Sequence, residues 1–149
     1  MSVPPINIKV GHDLPFDQTI ELHLSVGWLE KTTMEEKKKL QEAVQNSTYV
    51  VTAWSGEKMI GLARCLSDDV TIFYLQSILV APEYQRQGIG RKLLLNCLAR
   101  FEHVRNKVLL TDGKEGLGRL YESLGYKNTR DLKKVQIDTY VQKVGLELE

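Results

Sequence analysis

Residues 78–92 read ILVAPEYQRQGIGRK, and the fold of the chain can be worked out from this segment. The apolar run at 78–80 predicts a strand that is buried on both faces. Pro82 ends that strand, because proline cannot donate a hydrogen bond to a β-ladder. Gly88 and Gly90 then precede a helix with apolar residues on one face. The segment therefore predicts a buried strand, a tight loop and a helix N-terminus in succession.

The elements on either side of this segment complete an α+β fold with a mixed, mostly antiparallel sheet that contains a central parallel strand pair and is flanked by helices. The parallel pair follows from the strand–helix–strand unit of residues 70–111, whose crossover should be right-handed. The predicted order is β-α-α-β-β-β-α-β-α-β-β in one domain, residues 1–149. The first predicted elements are a strand at Ile6–Val10, a helix capped by Asp13 that carries Phe16, Ile20 and Leu24 and stops near Gly27, and a helix from a capping box at Thr33 to Val44. Strands follow at Tyr49–Trp54, Met59–Leu66 and Val70–Val80, and then a helix after Gly90 with Leu93, Leu94, Cys97, Leu98 and Phe101 on one face. The last predicted elements are a short buried strand at Val108–Leu110, a helix bearing Leu117, Leu120, Tyr121 and Leu124 that Gly125 closes, and strands at Tyr126–Asn128 and Val135–Val144.

Composition excludes several classes of protein. The chain has 149 residues, 42% of them hydrophobic, and a net charge of +1, so a nucleic-acid partner is not expected. No apolar stretch is long enough to span a bilayer, so no membrane partner is expected either. The two cysteines, Cys65 and Cys97, lie far apart and predict neither a disulfide nor a metal site, and they are interpreted as small core residues. Without an N-terminal signal-peptide pattern, the expected location is cytoplasmic.

The junction between the loop and the helix predicts an anion site. The first turn of a helix carries N–H groups that have no partner within the helix, and the macrodipole adds about 0.3–1 kcal/mol for each anion contact. Glycine lets a ligand approach the backbone, so the junction suits a pyrophosphate. The dinucleotide fingerprint is absent, because Leu93 stands where a third glycine belongs. The remaining alternative is a joint whose glycines only make the turn.

Two motifs resemble the signatures of the GNAT superfamily of acetyltransferases. Residues 85–90, QRQGIG, match the pattern Gln/Arg-x-x-Gly-x-Gly/Ala, and residues 78–84 are similar to its usual lead-in strand. Residues 120–126, LYESLGY, are similar to a second hallmark, Phe/Leu-Tyr-x-x-Leu-Gly-Phe/Tyr. The order of elements also matches over nearly the whole chain, so the resemblance implies a GNAT-like fold.

The resemblance also implies a co-substrate, acetyl-CoA, and a role for each motif. The backbone of the strand end would pair with the pantetheine arm, the glycine loop would hold the pyrophosphate, and Tyr121 would stand near the thioester sulfur as the acid. One position departs from the family pattern, because many members carry asparagine where this chain has Lys114. The residues that would contact the cofactor are Ile78, Leu79, Val80, Gln85, Arg86, Gln87, Gly88, Ile89, Gly90 and Arg91; no metal is expected.

The expected reaction is direct attack of a primary amine on the acetyl thioester in a ternary complex, with the N–H of Val80 as donor to the oxyanion. By residue type alone the general base could be Glu21, His23, Asp69 or Asp112. Trp28 is predicted either to line the acceptor pocket or simply to pack its loop.

Three acceptor hypotheses stay open at this point. The first is a small-molecule amine, since the helices before residue 49 mix acidic and basic side chains. The others are a protein lysine or N-terminus as acceptor, and a non-catalytic module that only binds acyl-CoA. A homodimer could form through the edge of the last strand.

Overall fold

The computed structural model describes residues 4–29, 33–113 and 116–142. The chain divides into two compact units, one ending at Leu110 and the other beginning at Thr111, and each is described by itself. The organisation as a single domain stays a prediction.

The first unit is built on a five-stranded sheet in the order β1-β2-β3-β4-β5. All neighbouring strands are antiparallel except β4 and β5, which form a parallel pair at one edge. The predicted α+β fold, with a mostly antiparallel sheet, one parallel pair and flanking helices, is confirmed. The strands are β1 (Ile6–Val10), β2 (Tyr49–Ser55), β3 (Lys58–Ser67), β4 (Ile72–Val80) and β5 (Asn106–Leu109).

Three α-helices accompany the sheet: α1 (Phe16–Ser25), α2 (Met34–Gln45) and α3 (Ile89–Arg100). The predicted cap of α2 is confirmed, because the Thr33 hydroxyl accepts a hydrogen bond from the Glu36 N–H at 3.3 Å. The predicted cap of α1 is wrong. Its N-cap is Pro15, without a side-chain bond, since the chain enters the helix two residues after Asp13. Leu24 is 38% exposed, so the buried face of α1 carries Ile20, Leu22 and His23 instead.

The two faces of the sheet are covered by different helices. A Cβ atom added to Gly61 would lie 3.1 Å from Leu93 of α3, so this side of β3 faces α3. Side chains alternate along a strand, so Arg64 points to the opposite face, where its Nη1 donates to the Ser47 hydroxyl just after α2 at 3.3 Å. On the α3 face the expected core role of the cysteines is confirmed: both thiols are free and buried. A hydrogen bond with Cys65, followed by burial, raises the pKa of Cys97.

The strand at 108–110 was expected to be buried, and that expectation is wrong. Val108 is 41% exposed and Leu110 is 44% exposed, because within the described residues β5 is the edge strand and pairs with β4 alone.

The second unit contains α4 (Gly118–Ser123) and a 3₁₀ turn at Thr129–Asp131. Gly125 closes α4 as predicted, with φ at +96°, and the Tyr126 N–H donates back to the Tyr121 carbonyl at 3.0 Å. The predicted strands at 126–128 and 135–144 are wrong over their described part, residues 126–142, which contain no strand. The apolar side chains at 135 and 137 are more than half exposed, so the alternating pattern has no packed face to stabilise it. Residues 143 and 144 lie outside the described residues.

Candidate active site

The C-terminal end of β4 presents backbone groups at an open edge. Val80 pairs with Gly61, and the Ala81 N–H donates to the Ile60 carbonyl at 2.8 Å. Hydrogen-bonded and non-hydrogen-bonded pairs alternate in an antiparallel ladder, so the N–H and C=O groups of Val80 and Ile78 point away from β3. β5 pairs with β4 only over Ile72–Leu75. This edge can therefore accept an extended ligand arm in the manner of an added strand.

A bulge lies just before that edge. Ser77 pairs with Arg64 and Leu75 pairs with Cys65, so Gln76 is an extra residue in β4. Bulges bend a strand and re-aim its side chains, and they are over-represented beside active sites. The continuous apolar pattern of 78–80 gave no sign of this bulge.

The loop after β4 begins with a 3₁₀ turn at Pro82–Tyr84. The Gln85 side chain donates to the Val80 carbonyl at 2.9 Å, which ties the start of the loop to the strand end. The predicted contact of Gln85 with the pyrophosphate stays a prediction. Arg86 has a left-handed backbone with φ at +62°, which is costly for a residue other than glycine, and its side chain is exposed.

Gly88 forms the N-cap of α3 and is left-handed, with φ at +81°. A Cβ atom added there would meet nothing within 4 Å, so the space beside its backbone is open. Gly90 lies within the first turn of α3, and it is not among the residues with positive φ. The buried side chain of Ile89 anchors this turn to the core. The arrangement brings the first-turn N–H groups and the positive end of the helix dipole to an open surface, which suits a pyrophosphate.

The predicted contact residues 78–80 and 85–91 are thus brought together by one strand end, one loop and one helix start. Tyr121 belongs to the second unit, where it is buried and its ring lies 6.1 Å from that of Tyr126. Its role as the acid stays a prediction.

Trp28 is positioned by the C-terminal cap of α1. Gly27 is left-handed with φ at +76°, its N–H donates to the Leu24 carbonyl at 3.1 Å, and the Trp28 N–H donates to the His23 carbonyl at 3.0 Å. These two backbone hydrogen bonds form a Schellman motif, which typically packs the residue after the glycine against the last turn of the helix. The Trp28 ring accordingly lies 6.4 Å from the His23 ring and is 39% exposed. Its place in the acceptor pocket stays a prediction.

The four candidate bases lie in different environments. Glu21 and Asp112 are exposed, and Asp112 belongs to the second unit. Asp69 lies on the surface, where Arg100 donates to its carboxylate at 3.1 Å and lowers its pKa. His23 is the buried one, at 3% exposure.

The protonation state of His23 follows from its contacts. Its Nδ1 lies 2.7 Å from the Thr19 carbonyl oxygen, which can only accept, so Nδ1 carries the proton and Nε2 presents a lone pair. Burial lowers the pKa of His23, and the charge of Arg64 lowers it further. His23 is therefore neutral near pH 7, and its buried Nε2 has no hydrogen-bond partner within the described ranges.

The described residues offer neither a metal site nor a membrane-spanning helix. They contain no group of three or more His, Cys, Asp or Glu side chains that could hold a metal ion. None of the helices in these parts of the chain combines the length and apolar character that a bilayer span requires.

Comparison with known proteins defines the class. Residues 26–142 match the acetyltransferase (GNAT) domain, so the chain belongs to the GNAT acetyltransferase family. A GNAT-family acetyltransferase from Streptococcus pneumoniae has a similar structure, with a TM-score of 0.72 and 27% identity over 91% of this chain and 98% of that one.

Two curated relatives extend the comparison. A protein of Gibberella zeae that is named an acetyltransferase is 34% identical over 86 residues, which are 56% of this chain and 46% of that protein. A ycf52-like N-acetyltransferase of Prochlorococcus marinus is 30% identical over 112 residues, 71% of this chain and 59% of that protein. The chain therefore spans about half the length of the curated relatives it matches.

Proposed function

We propose that this chain is an N-acetyltransferase that moves an acetyl group from acetyl-CoA to the primary amine of a small molecule, with both substrates bound together. The observation that carries the proposal is Gly88, a left-handed N-cap with open space where a Cβ would stand, at the start of α3. Close approach of phosphate oxygens to a helix N-terminus needs such a residue.

The co-substrate would lie along two features of the first unit. The N–H and C=O groups of Ile78 and the N–H of Val80 point outward at the edge of β4 and are offered to the pantetheine arm, while the Val80 carbonyl accepts from Gln85. Residues 85–91 surround the pyrophosphate. The exposed side chains of Arg86 and Arg91 add positive charge around that loop.

The acyl transfer itself forms a carbon–nitrogen bond and breaks the carbon–sulfur bond of the thioester. The amine attacks in its neutral form, so one proton leaves its ammonium group beforehand. The outward N–H of Val80 donates to the oxygen that becomes negative. The Tyr121 hydroxyl donates a proton to the departing thiolate. The nitrogen loses a proton as the amide forms, and this proton returns to the Tyr121 phenolate through water. Trp28 lines the acceptor pocket.

The charge pattern of α2 favours a small acceptor over a basic peptide. Lys39 lies 3.5 Å from Glu35 and 3.9 Å from Glu36, so the acids of the first turn are matched by a cation of the same helix. A surface that attracts lysine-rich peptides would instead present unmatched acidic groups.

Release of free CoA tests the proposal. The protein is incubated with acetyl-CoA and a panel of small primary amines or lysine-containing peptides, and the free thiol is measured. We expect turnover with at least one small amine and weak turnover with peptides. Efficient acetylation of peptides, with no small amine accepted, would make the chain a protein acetyltransferase; binding of acetyl-CoA without any turnover would make it a non-catalytic module.

A further inference from the structure

An ion pair joins the start of β3 to the loop between β4 and α3. The Lys58 Nζ donates to Glu83 Oε1 at 3.2 Å, and it lies 5.9 Å from the centre of the Tyr84 ring, within the range of a cation–π contact. The backbone N–H of Glu83 itself and then Lys58 lower the pKa of Glu83, so the pair is charged at neutral pH. Both side chains are more than half exposed, and exposed pairs contribute little to the stability of a fold. The location of the pair is therefore more informative than its strength.

The backbone on either side of Lys58 is held by α1. The Gln18 Oε1 accepts a hydrogen bond from the Met59 N–H at 2.7 Å, and the Gln18 Nε2 donates to the Glu57 carbonyl at 3.0 Å. One side chain of α1 thus fixes both neighbours of Lys58 in the turn that leads into β3. Because its backbone is already ordered, Lys58 gives up only side-chain freedom when it reaches Glu83.

The other end of the pair lies at the entrance to the candidate pyrophosphate loop. Glu83 belongs to the 3₁₀ turn after β4, and two residues later the Gln85 side chain donates to the Val80 carbonyl at 2.9 Å. The next residue, Arg86, is left-handed with φ at +62°. Such a conformation persists in a residue other than glycine only where the surrounding structure fixes it. A contact that anchors the turn just before Arg86 therefore restricts the path that the backbone takes to Gly88.

We propose that Lys58 and Glu83 are positioning residues, which hold the loop before α3 in the conformation that binds the pyrophosphate of acetyl-CoA. This inference rests on the proposed N-acetyltransferase function. Lys58 acts through Glu83 on the backbone of the loop, so neither side chain has to touch the co-substrate.

Positioning and direct electrostatics predict effects of opposite sign at Glu83. A carboxylate beside the loop repels a pyrophosphate, so charge alone predicts that Glu83→Gln binds acetyl-CoA more tightly. Tighter binding would also follow if Lys58 contacted the phosphates itself, because the loss of Glu83 would free its ammonium group. Positioning predicts weaker binding instead, since the loop loses its anchor although a negative charge has been removed.

The test is calorimetric titration of acetyl-CoA into the wild type, Glu83→Gln, Lys58→Met and the double variant. We expect each single change to weaken binding by about two- to fivefold, the range of an exposed ion pair. The double variant should lose no more than either single one, because the second change finds the pair already broken. Lys39→Met is the matched control: it breaks an exposed pair with Glu35 in α2 and should leave the affinity unchanged.

Two further measurements separate positioning from a structural role. Urea unfolding should show little loss of stability in Glu83→Gln, whereas the KM for acetyl-CoA should rise more than kcat falls. Salt screens an exposed pair, so the ratio of the dissociation constants of Glu83→Gln and the wild type should approach one between about 0.05 and about 0.5 M NaCl.

Each outcome decides the inference. Unchanged or tighter binding of acetyl-CoA by Glu83→Gln would overturn it while the proposed function stands. A loss of affinity matched by an equal loss of folding stability would give the pair a structural role and also overturn it. A wild-type protein that binds no acetyl-CoA would remove the proposed function and this inference together.

Discussion

Replacement of Gly88 by alanine should separate the stability of the fold from its affinity for acetyl-CoA. Gly88 caps α3 with φ at +81°, a conformation that costs an L-residue about 1–2 kcal/mol. The added methyl group meets no protein atom within 4 Å, so no steric term is added to that cost. For a chain of this length, the melting temperature should fall by about 2–8 °C while the protein stays folded.

The loss of acetyl-CoA binding free energy should be larger than the loss of folding stability. The methyl group occupies the open space in which phosphate oxygens would approach the first turn of α3. Loss of one charge-assisted hydrogen bond costs about 1.5–3 kcal/mol, so acetyl-CoA should bind about 10- to 100-fold more weakly. Isothermal titration calorimetry with acetyl-CoA measures this directly, and Gly88→Val should show an even greater loss.

Gly56→Ala provides the matched control. Gly56 lies in the two-residue turn between β2 and β3, it is also left-handed with φ at +61°, and it also has nothing within 4 Å of an added Cβ. The two variants should therefore lose similar stability, and only Gly88→Ala should lose affinity. Normal acetyl-CoA binding by Gly88→Ala, or an equal loss in both variants, would refute the assignment of the pyrophosphate to the start of α3.

Three other changes have defined outcomes. Tyr121→Phe keeps the ring and removes the hydroxyl, so kcat should fall by about 10²–10⁴-fold with thermal stability and acetyl-CoA affinity little changed; a near-normal kcat would make Tyr121 a packing residue. Gly61→Val should destabilise the fold by about 1–3 kcal/mol in urea unfolding, because even a Cβ would lie 3.1 Å from Leu93; unchanged stability would contradict the close approach of α3 to β3. The pKa of His23 is lowered in the folded state, so below about pH 6.5 the unfolded chain takes up the proton first and the stability of the fold should decrease as the pH falls. Denaturation at pH 7.5 and 5.5 should show a smaller loss of stability for His23→Phe than for the wild type. Equal losses in the two proteins would mean that His23 is not buried in its neutral form.

Much of the first unit could be predicted because its information is local. The strand boundaries of β1, β2 and β3 were within a residue of those observed, since β-branched runs between turn residues are a short-range signal. The start of α3 was predictable for the same reason, because Pro82 and Gly88 restrict the backbone through their own covalent structure. Asp13 was a poor guide, because a residue suited to capping acts only if the helix begins directly after it.

The features that could not be predicted from the sequence depend on contacts between residues that are far apart in the chain. The bulge at Gln76 exists only in the register between β3 and β4, and no property of glutamine announces it. The strands expected after Gly125 failed for a related reason, since an alternating pattern favours a strand only when a neighbouring strand accepts its hydrogen bonds. His23 was one of four candidates of equal rank, and its contact with Thr19 and its burial are what distinguish it.

The unfavourable features of the first unit divide into those that the protein itself compensates and those that it does not. Asp69 is left-handed with φ at +64°, and its carboxylate is held by Arg100 and His103, so the surrounding contacts offset its strain. The buried Nε atom of Arg64 and the buried Nε2 atom of His23 have no such compensation within the described residues. A core that leaves a cationic donor and a neutral acceptor unpaired is less stable than one with apolar side chains at both positions.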